Sequence, residues 1–183
     1  MKKFIVLLIV SALTACASVS QDAVIAIYPK VTPSNVGHGL PLSISVEDNR
    51  PSGVIGTYGD GGQISTSQDM AQTIGIALVD SFSKMGFSVT DSNDPGAIHL
   101  HIFLEEMSYT TDGGTISTDV ETKTRVKVEA VERGFNRTYS NSEQRTIPFS
   151  SNPDTNNSQL SNTLNATVQR IVSDNELITA LAR

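Results

Sequence analysis

The sequence predicts an α+β fold: a two-layer domain in which an antiparallel sheet has amphipathic helices packed on one face. Three observations lead there. Apolar and polar residues alternate with period two at 42–46, 98–104 and 116–130. Apolar residues recur at helical spacing over 70–85 and 160–181. The resulting order is strand, helix, several strands, helix.

The chain opens on Lys2 and Lys3 and passes at once into the apolar run from Phe4 to Val10, which fades through Ser11, Ala12 and Leu13. As a helix, residues 4–13 would be ~15 Å long against the ~30 Å of a bilayer's hydrocarbon core. Residues 1–15 therefore read as a secretory signal and not as a span. The run ends in Leu13-Thr14-Ala15-Cys16, an aliphatic residue, two small residues and the chain's only cysteine. That is the form of a bacterial lipobox. Small side chains suit the signal peptidase, and a thiol can form the thioether to a diacylglycerol. Cys16 is thus the expected lipidation site; the alternative is an ordinary signal with an incidental cysteine near its cleavage point. Two or more acyl chains would hold the protein to a membrane stably, each buried methylene contributing ~0.8 kcal/mol. The next residue is Ala17; by the enterobacterial sorting rule, the absence of aspartate there favours the outer membrane, facing the periplasm.

The net charge of −6 and the charged fraction of 17% leave no basic field to attract nucleic acid, and that class of partner is excluded. With Cys16 consumed by lipid no thiol remains for a disulfide, so stability is expected from an ordinary core in a single periplasmic domain at 41–183. Residues 16–40 read as the lipidated N-terminus and a tether. They carry Pro29, Pro33, Gly37 and Gly39, and one apolar patch, "AVIAIY" at 23–28, that could pair at a sheet edge.

In "LPLSISVED", Leu42, Ile44 and Val46 alternate with Ser43, Ser45 and Glu47 as in a strand with one buried face. "GVIGTYGDGG", 53–62, reads as a glycine-rich loop. Thr66, Ser67 and Asp69 can cap a helix over 67–85, where Met70, Ile74, Ala77, Leu78, Phe82 and Met85 form the apolar stripe and Gly86 the stop. After a turn at 91–96, strands follow at 98–105 and 116–130, the second placing Lys123 and Arg125 on its polar side. "VERGFNR" (131–137) is the expected hairpin turn into a weaker strand at 137–147, and 149–158, rich in Ser, Asn and Asp, the expected loop. Leu160, Leu164, Val168, Ile171 and Val172 keep helical spacing, and Ser173-Asp174-Asn175-Glu176 has the form of a capping box for a last short helix.

The lipobox, the first strand running into Val46-Glu47-Asp48-Asn49-Arg50, the Ile55-Gly56 after it, the long helix, the paired strands and the C-terminal helical pair together resemble the YajG-like family of bacterial lipoproteins. The resemblance implies an envelope address and an α+β fold. It implies no catalytic residues.

Several polar groups were candidates for chemistry. His99 and His101 share a strand face with Glu105, but a zinc site needs three or four convergent ligands, so an ordinary solvated face is expected and no metal. The loop "GTYGDGG" lacks the Gly-Lys-Ser/Thr of a phosphate cradle; Tyr58 at its centre could instead anchor a partner. Asp48 and Arg50 are read as a local ion pair closing the strand end. Neither a Gly-x-Ser-x-Gly elbow nor a His-Glu-x-x-His motif occurs. The expected function is that of a non-catalytic, lipid-anchored component binding an envelope partner, with Tyr58, Lys123 and Arg125 as its candidate contacts and no cofactor. Two alternatives are an auxiliary lipoprotein that carries a small apolar ligand and an envelope hydrolase.

Overall fold

The computed structural model describes residues 20–58, 61–90, 94–113, 117–148 and 152–183. Cys16 and the signal lie outside the described residues. The elements in chain order are β1 (Gln21–Asp22), β2 (Pro41–Asp48), β3 (Val54–Tyr58), β4 (Gly62–Ser65), α1 (Met70–Lys84), β5 (Ser88–Thr90), β6 (Ile98–Gly113), β7 (Ser117–Ala130), a 3-10 turn (Val131–Arg133), β8 (Phe135–Pro148), α2 (Pro153–Val172) and α3 (Asn175–Leu181).

The expected α+β class holds, but the sheet is mixed and not purely antiparallel. The three long strands β6, β7 and β8 run antiparallel along their whole lengths. On the other side of β6, however, β2 pairs in parallel from Leu42 opposite Ile98 to Asp48 opposite Leu104, and β3 pairs in parallel where Gly56 meets Tyr109. β5 is parallel to β2 as well. For β5 the cause is α1, which follows the β3–β4 hairpin and carries the chain back along the sheet, so the strand after it runs in β2's direction. The alternation that identified these strands is the same for either direction, so it could not reveal this.

β6 is the spine. At Leu104 it changes partner from β2 towards β3, and between Leu104 and Glu106 its register with β7 shifts by a bulge. Gly56 is needed at the β3 contact, since a Cβ there would stand 1.8 Å from the Tyr109 carbonyl oxygen. The segment expected as a glycine-rich loop is therefore largely a hairpin, with Tyr58 opposite Gly62.

The buried face of the sheet meets the helices. Asp69 caps α1 by accepting from the Gln72 N–H at 2.9 Å, and Ile74, Leu78 and Phe82 are wholly buried against Leu100, Ile102 and Leu104 in one core. The helix ends at Gly86, whose φ of +87° suits glycine. α2 begins at Pro153 with Asn152 accepting from the Thr155 N–H, so the stretch read as a loop to 158 is helix from 153. Sequence missed it because this turn buries polar groups: Asn156 and Gln159 face inward, and further along Thr163 and Thr167 bond Thr122 (2.6 Å) and Thr124 (2.5 Å) of β7.

The expected tether is also part of the body from Gln21 onward. β1 pairs with β4 in parallel, and residues 23–30 continue as an extended strap along α2. Ala23, Ile25 and Ile27 point into the core, while Val24, Ala26 and Tyr28 point out. The outward-edge N–H groups of Val24, Ala26, Tyr28 and Lys30 donate to Asn157, Ser161, Asn165 and Gln169 at 2.6–3.2 Å. Four helical residues rise ~6.0 Å and two extended residues ~6.6 Å, so side chains spaced by four on a helix can serve an adjacent strand as acceptors. On the other edge Gln68 accepts from the Ile25 N–H. Gln21 fixes the strap's start, donating to the Pro153 carbonyl and to Asn157 while accepting from Asn156, itself bonded by the Tyr109 hydroxyl.

Candidate functional site

The sheet face opposite the helices is largely polar, and among the described residues nothing covers it over β6, β7 and β8. Cross-strand register sets its rows. His101, Glu129 and Asn136 form one, Phe103, Lys127 and Thr138 the next, then Glu106, Arg125 and Ser140, then Ser108, Lys123 and Ser142, then Thr110, Glu121 and Gln144. Lys123 and Arg125 stand where the alternation of β7 places them, with about half of each side chain exposed (47% and 51%). Lys123 Nζ lies 2.9 Å from Glu121, and Arg125 Nη2 lies 2.8 Å from Glu106. Lys123, with help from Ser142 and Gln144, holds the Glu121 carboxyl below its ordinary value. Lys127 pairs with Glu129, which raises its ammonium pKa, and sits 5.7 Å over the Phe103 ring. Exposed pairs of this kind are weak, because water screens them.

Glu105 acts on Lys127 of the open face, in keeping with its expected place on the side of His99 and His101, and the bulge after Leu104 adds Glu106, which takes the position opposite Arg125. The two histidine rings lie 6.3 Å apart at 29°, and His101 Nδ1 is engaged by Ser45 Oγ at 2.8 Å. Among the described residues no three His, Cys, Asp or Glu side chains form a metal-holding group.

Asp48 and Arg50 form the expected pair in bidentate geometry: Arg50 Nε and Nη2 donate to Asp48 at 2.8 and 2.6 Å. The guanidinium's hydrogen bonds hold the Asp48 carboxyl below its usual range. The Arg50 side chain is only 6% exposed, and its Nη1 is buried with no hydrogen-bond partner among the described residues. Arg50 also lines a cleft of about 400 Å³ with Val54, Ile55, Glu106, Ser108 and Arg125, where β6 has left β2 and not yet met β3. Arg50 and Arg125, far apart in sequence, are thus neighbours around one opening. A second cleft of about 470 Å³ lies near the β6–β7 turn between Asp112, Asp119, Glu121 and Arg145. Tyr58 belongs to neither. It closes β3, half-buried against the core, and is not the tip of a free loop.

Sequence reasoning missed the cleft because it depends on where β6 changes partners. It missed the strap because its hydrogen-bond acceptors lie more than 130 positions away.

A family described as "Uncharacterized lipoprotein" (Lipoprotein_16) matches residues 29–182. No curated protein matches the chain. Among solved structures, a Helicobacter pylori homologue of the neuraminyllactose-binding hemagglutinin is similar at TM-score 0.49 and 6% identity, over 88% of this chain and 97% of that one. The minor lipoprotein of Acinetobacter baumannii gives TM-score 0.34 and 11% identity over 79% and 91%. Lipoprotein GNA1162 of Neisseria meningitidis gives 0.36 and 11% over 74% and 99%. At these values no function passes from those proteins to this one. The family match spans most of the folded body and agrees with the resemblance carried by the lipobox, the Val46–Arg50 strand end and the paired strands: this chain belongs to the Lipoprotein_16 family of bacterial lipoproteins.

Proposed function

We propose that the protein is an outer-membrane lipoprotein, anchored through lipid on Cys16 and facing the periplasm, whose body is a non-catalytic binding component of an envelope complex. The observation that carries the binding role is the open sheet face. Its three long strands present cross-strand rows of mostly polar side chains, with half-exposed Lys123 and Arg125 near the centre and a cleft beside them. A broad, largely polar face with exchangeable ion pairs suits a protein surface bearing carboxylates. Cys16 in its lipobox and Ala17 after it support the anchor and the address.

The test places a photo-crosslinking residue at Ser142, in the row of Lys123, in cells carrying the lipidated protein. A discrete adduct in the membrane fraction is expected, and it should disappear in the Lys123→Glu, Arg125→Glu double variant while the melting curve of the body is retained. An adduct indifferent to both charge reversals would overturn the assignment of this face. Mass spectrometry of the mature N-terminus tests the anchor separately, and an unmodified Cys16 thiol would refute it. Ala17→Asp should move protein from outer-membrane to inner-membrane fractions; native protein found in the inner membrane would refute the address.

A further inference from the structure

We propose that the flank formed by the strap and the outer side of α2 lies on the membrane surface itself, a reading that rests on the lipid anchor at Cys16. Distance comes first. Five peptide units separate Cys16 from Gln21, and whatever their conformation they span at most ~18 Å. Gln21 is buried, held by three side-chain hydrogen bonds and paired within the sheet. The lipid therefore cannot stand far from the body, and the surface that begins at Gln21 is the one it holds nearest the bilayer.

That surface has a distinctive chemistry. The chain turns Val24 (61% exposed), Ala26 and Tyr28 (80% exposed) outward in one row. Beside them the outward positions of α2 are Ser158, Asn162 and the half-buried Asn165, which with Ala26 and Tyr28 line a shallow cleft. Between Asp22 and Lys30 the strap has no charged residue, and between Asp154 and Arg170 neither has α2. In a chain of net charge −6, the flank beyond Asp22 and Asp154 has no carboxylate to be repelled by phospholipid phosphates. Its row of apolar side chains ends in a tyrosine and then Lys30, residue types that settle at the level of lipid headgroups. The end of the sheet near the β6–β7 turn is a poorer face for a bilayer, because Asp112 and Asp119 stand directly opposite one another there. With the flank down, the face carrying Lys123 and Arg125 is free to meet a partner.

The experiment uses the full lipidated protein in vesicles of phosphatidylethanolamine and phosphatidylglycerol containing a headgroup-nitroxide lipid. Lipidation consumes Cys16, the only cysteine, so one introduced cysteine takes one fluorophore. Tyr28→Cys and Asn162→Cys report the flank; Thr138→Cys and Ser142→Cys report the open sheet face. Flank labels should be quenched at least twofold more than sheet-face labels. With the fluorophore at position 162, Tyr28→Asp should lower the quenching while the protein still floats with the vesicles. Equal quenching at all four sites, or stronger quenching on the sheet face, overturns the pose and leaves the anchor standing. Failure to float, with an unmodified Cys16 by mass spectrometry, overturns the anchor and the pose with it. Flank labels that stay unquenched but become shielded as protein concentration rises in detergent assign the flank to a second copy of the chain, and also overturn the proposal.

Discussion

Replacing Asp174 with alanine should destabilise the body more than any other single loss of a surface carboxylate. Asp174 caps α3, accepting from the N–H groups of Glu176 at 2.8 Å and Leu177 at 3.2 Å. It also accepts from the Tyr139 hydroxyl at 2.6 Å and from Arg137 at 2.5 Å, tying β8 to the last helix. Loss of a cap costs ~1 kcal/mol. Tyr139 is only 5% exposed, and a buried hydroxyl left unsatisfied costs ~1–3 kcal/mol. Arg137 also pairs with Glu176 and keeps that partner, so it adds little. The sum is ~2–4 kcal/mol, or roughly 5–15 °C in melting temperature for a domain of this size. The assay is thermal and urea unfolding of a soluble chain beginning after Cys16, followed by circular dichroism. Burial acts to raise the Asp174 pKa, but the bonds from Tyr139, Leu177 and Arg137 outweigh it, and the folded value lies below the unfolded 3.8. The stabilisation is then present in full above the unfolded value and lost as pH falls through the folded one. The gap between wild type and variant should be constant from about pH 7 to 5 and narrow below about 4. Tyr139→Phe should recover the phenol's part of the loss in the double variant, and Glu176→Ala should leave the melt nearly unchanged. If Asp174→Ala is no worse than Glu176→Ala, the cap and the phenol bond do not hold α3 in place.

Leu78→Ala and Phe82→Ala remove wholly buried side chains and should each cost ~2–5 kcal/mol, whereas Lys123→Ala and Arg125→Ala should stay within ~0.5 kcal/mol in urea melts. If the charged pair proves as costly as the apolar pair, the sheet face is not open. Gly56→Ala sets a methyl against the Tyr109 carbonyl; the β3–β4 hairpin should detach and become protease-sensitive, and a variant as resistant as wild type would contradict the contact. Asn165→Ala removes the acceptor for the Tyr28 N–H, so amide exchange should accelerate at Tyr28 and leave Leu100 untouched.

What was legible in the sequence depended on contrast between the two sides of an element. In β7 each inward Val or Thr is followed by an outward Asp, Glu, Lys or Arg, so residues 117–130 could be placed and Lys123 and Arg125 assigned to the open face. α1 shows the same contrast at helical spacing. The first turns of α2 do not, since Asn156, Gln159 and Thr163 are buried as hydrogen-bonding groups and look like loop residues. The strap fails for the opposite reason: Val24, Ala26 and Tyr28 are as apolar as the buried Ala23, Ile25 and Ile27, so no period emerges. Strand direction was hidden because it is set by the path of the chain between strands, as through α1 for β5, and not by any strand's own residues. The Asp48–Arg50 pair could be read locally, being two residues apart; the meeting of Arg50 with Arg125 could not.

The strap also decides how the body answers a mechanical load. It runs alongside α2 in the same direction, from Asn157 at its beginning to Gln169 at its end, and any tension from the N-terminus enters at Gln21. When that tension is aligned with the strap, the four N–H bonds to α2 and the clasp of Gln68 on Ile25 are strained together, in shear. Turned outward, the same force must first release Gln21 and then meets the four bonds singly, peeling the strap from Val24 upward. The joint between anchor and body is therefore mechanically anisotropic, stiff against a drag along the length of α2 and weak against a pull away from it.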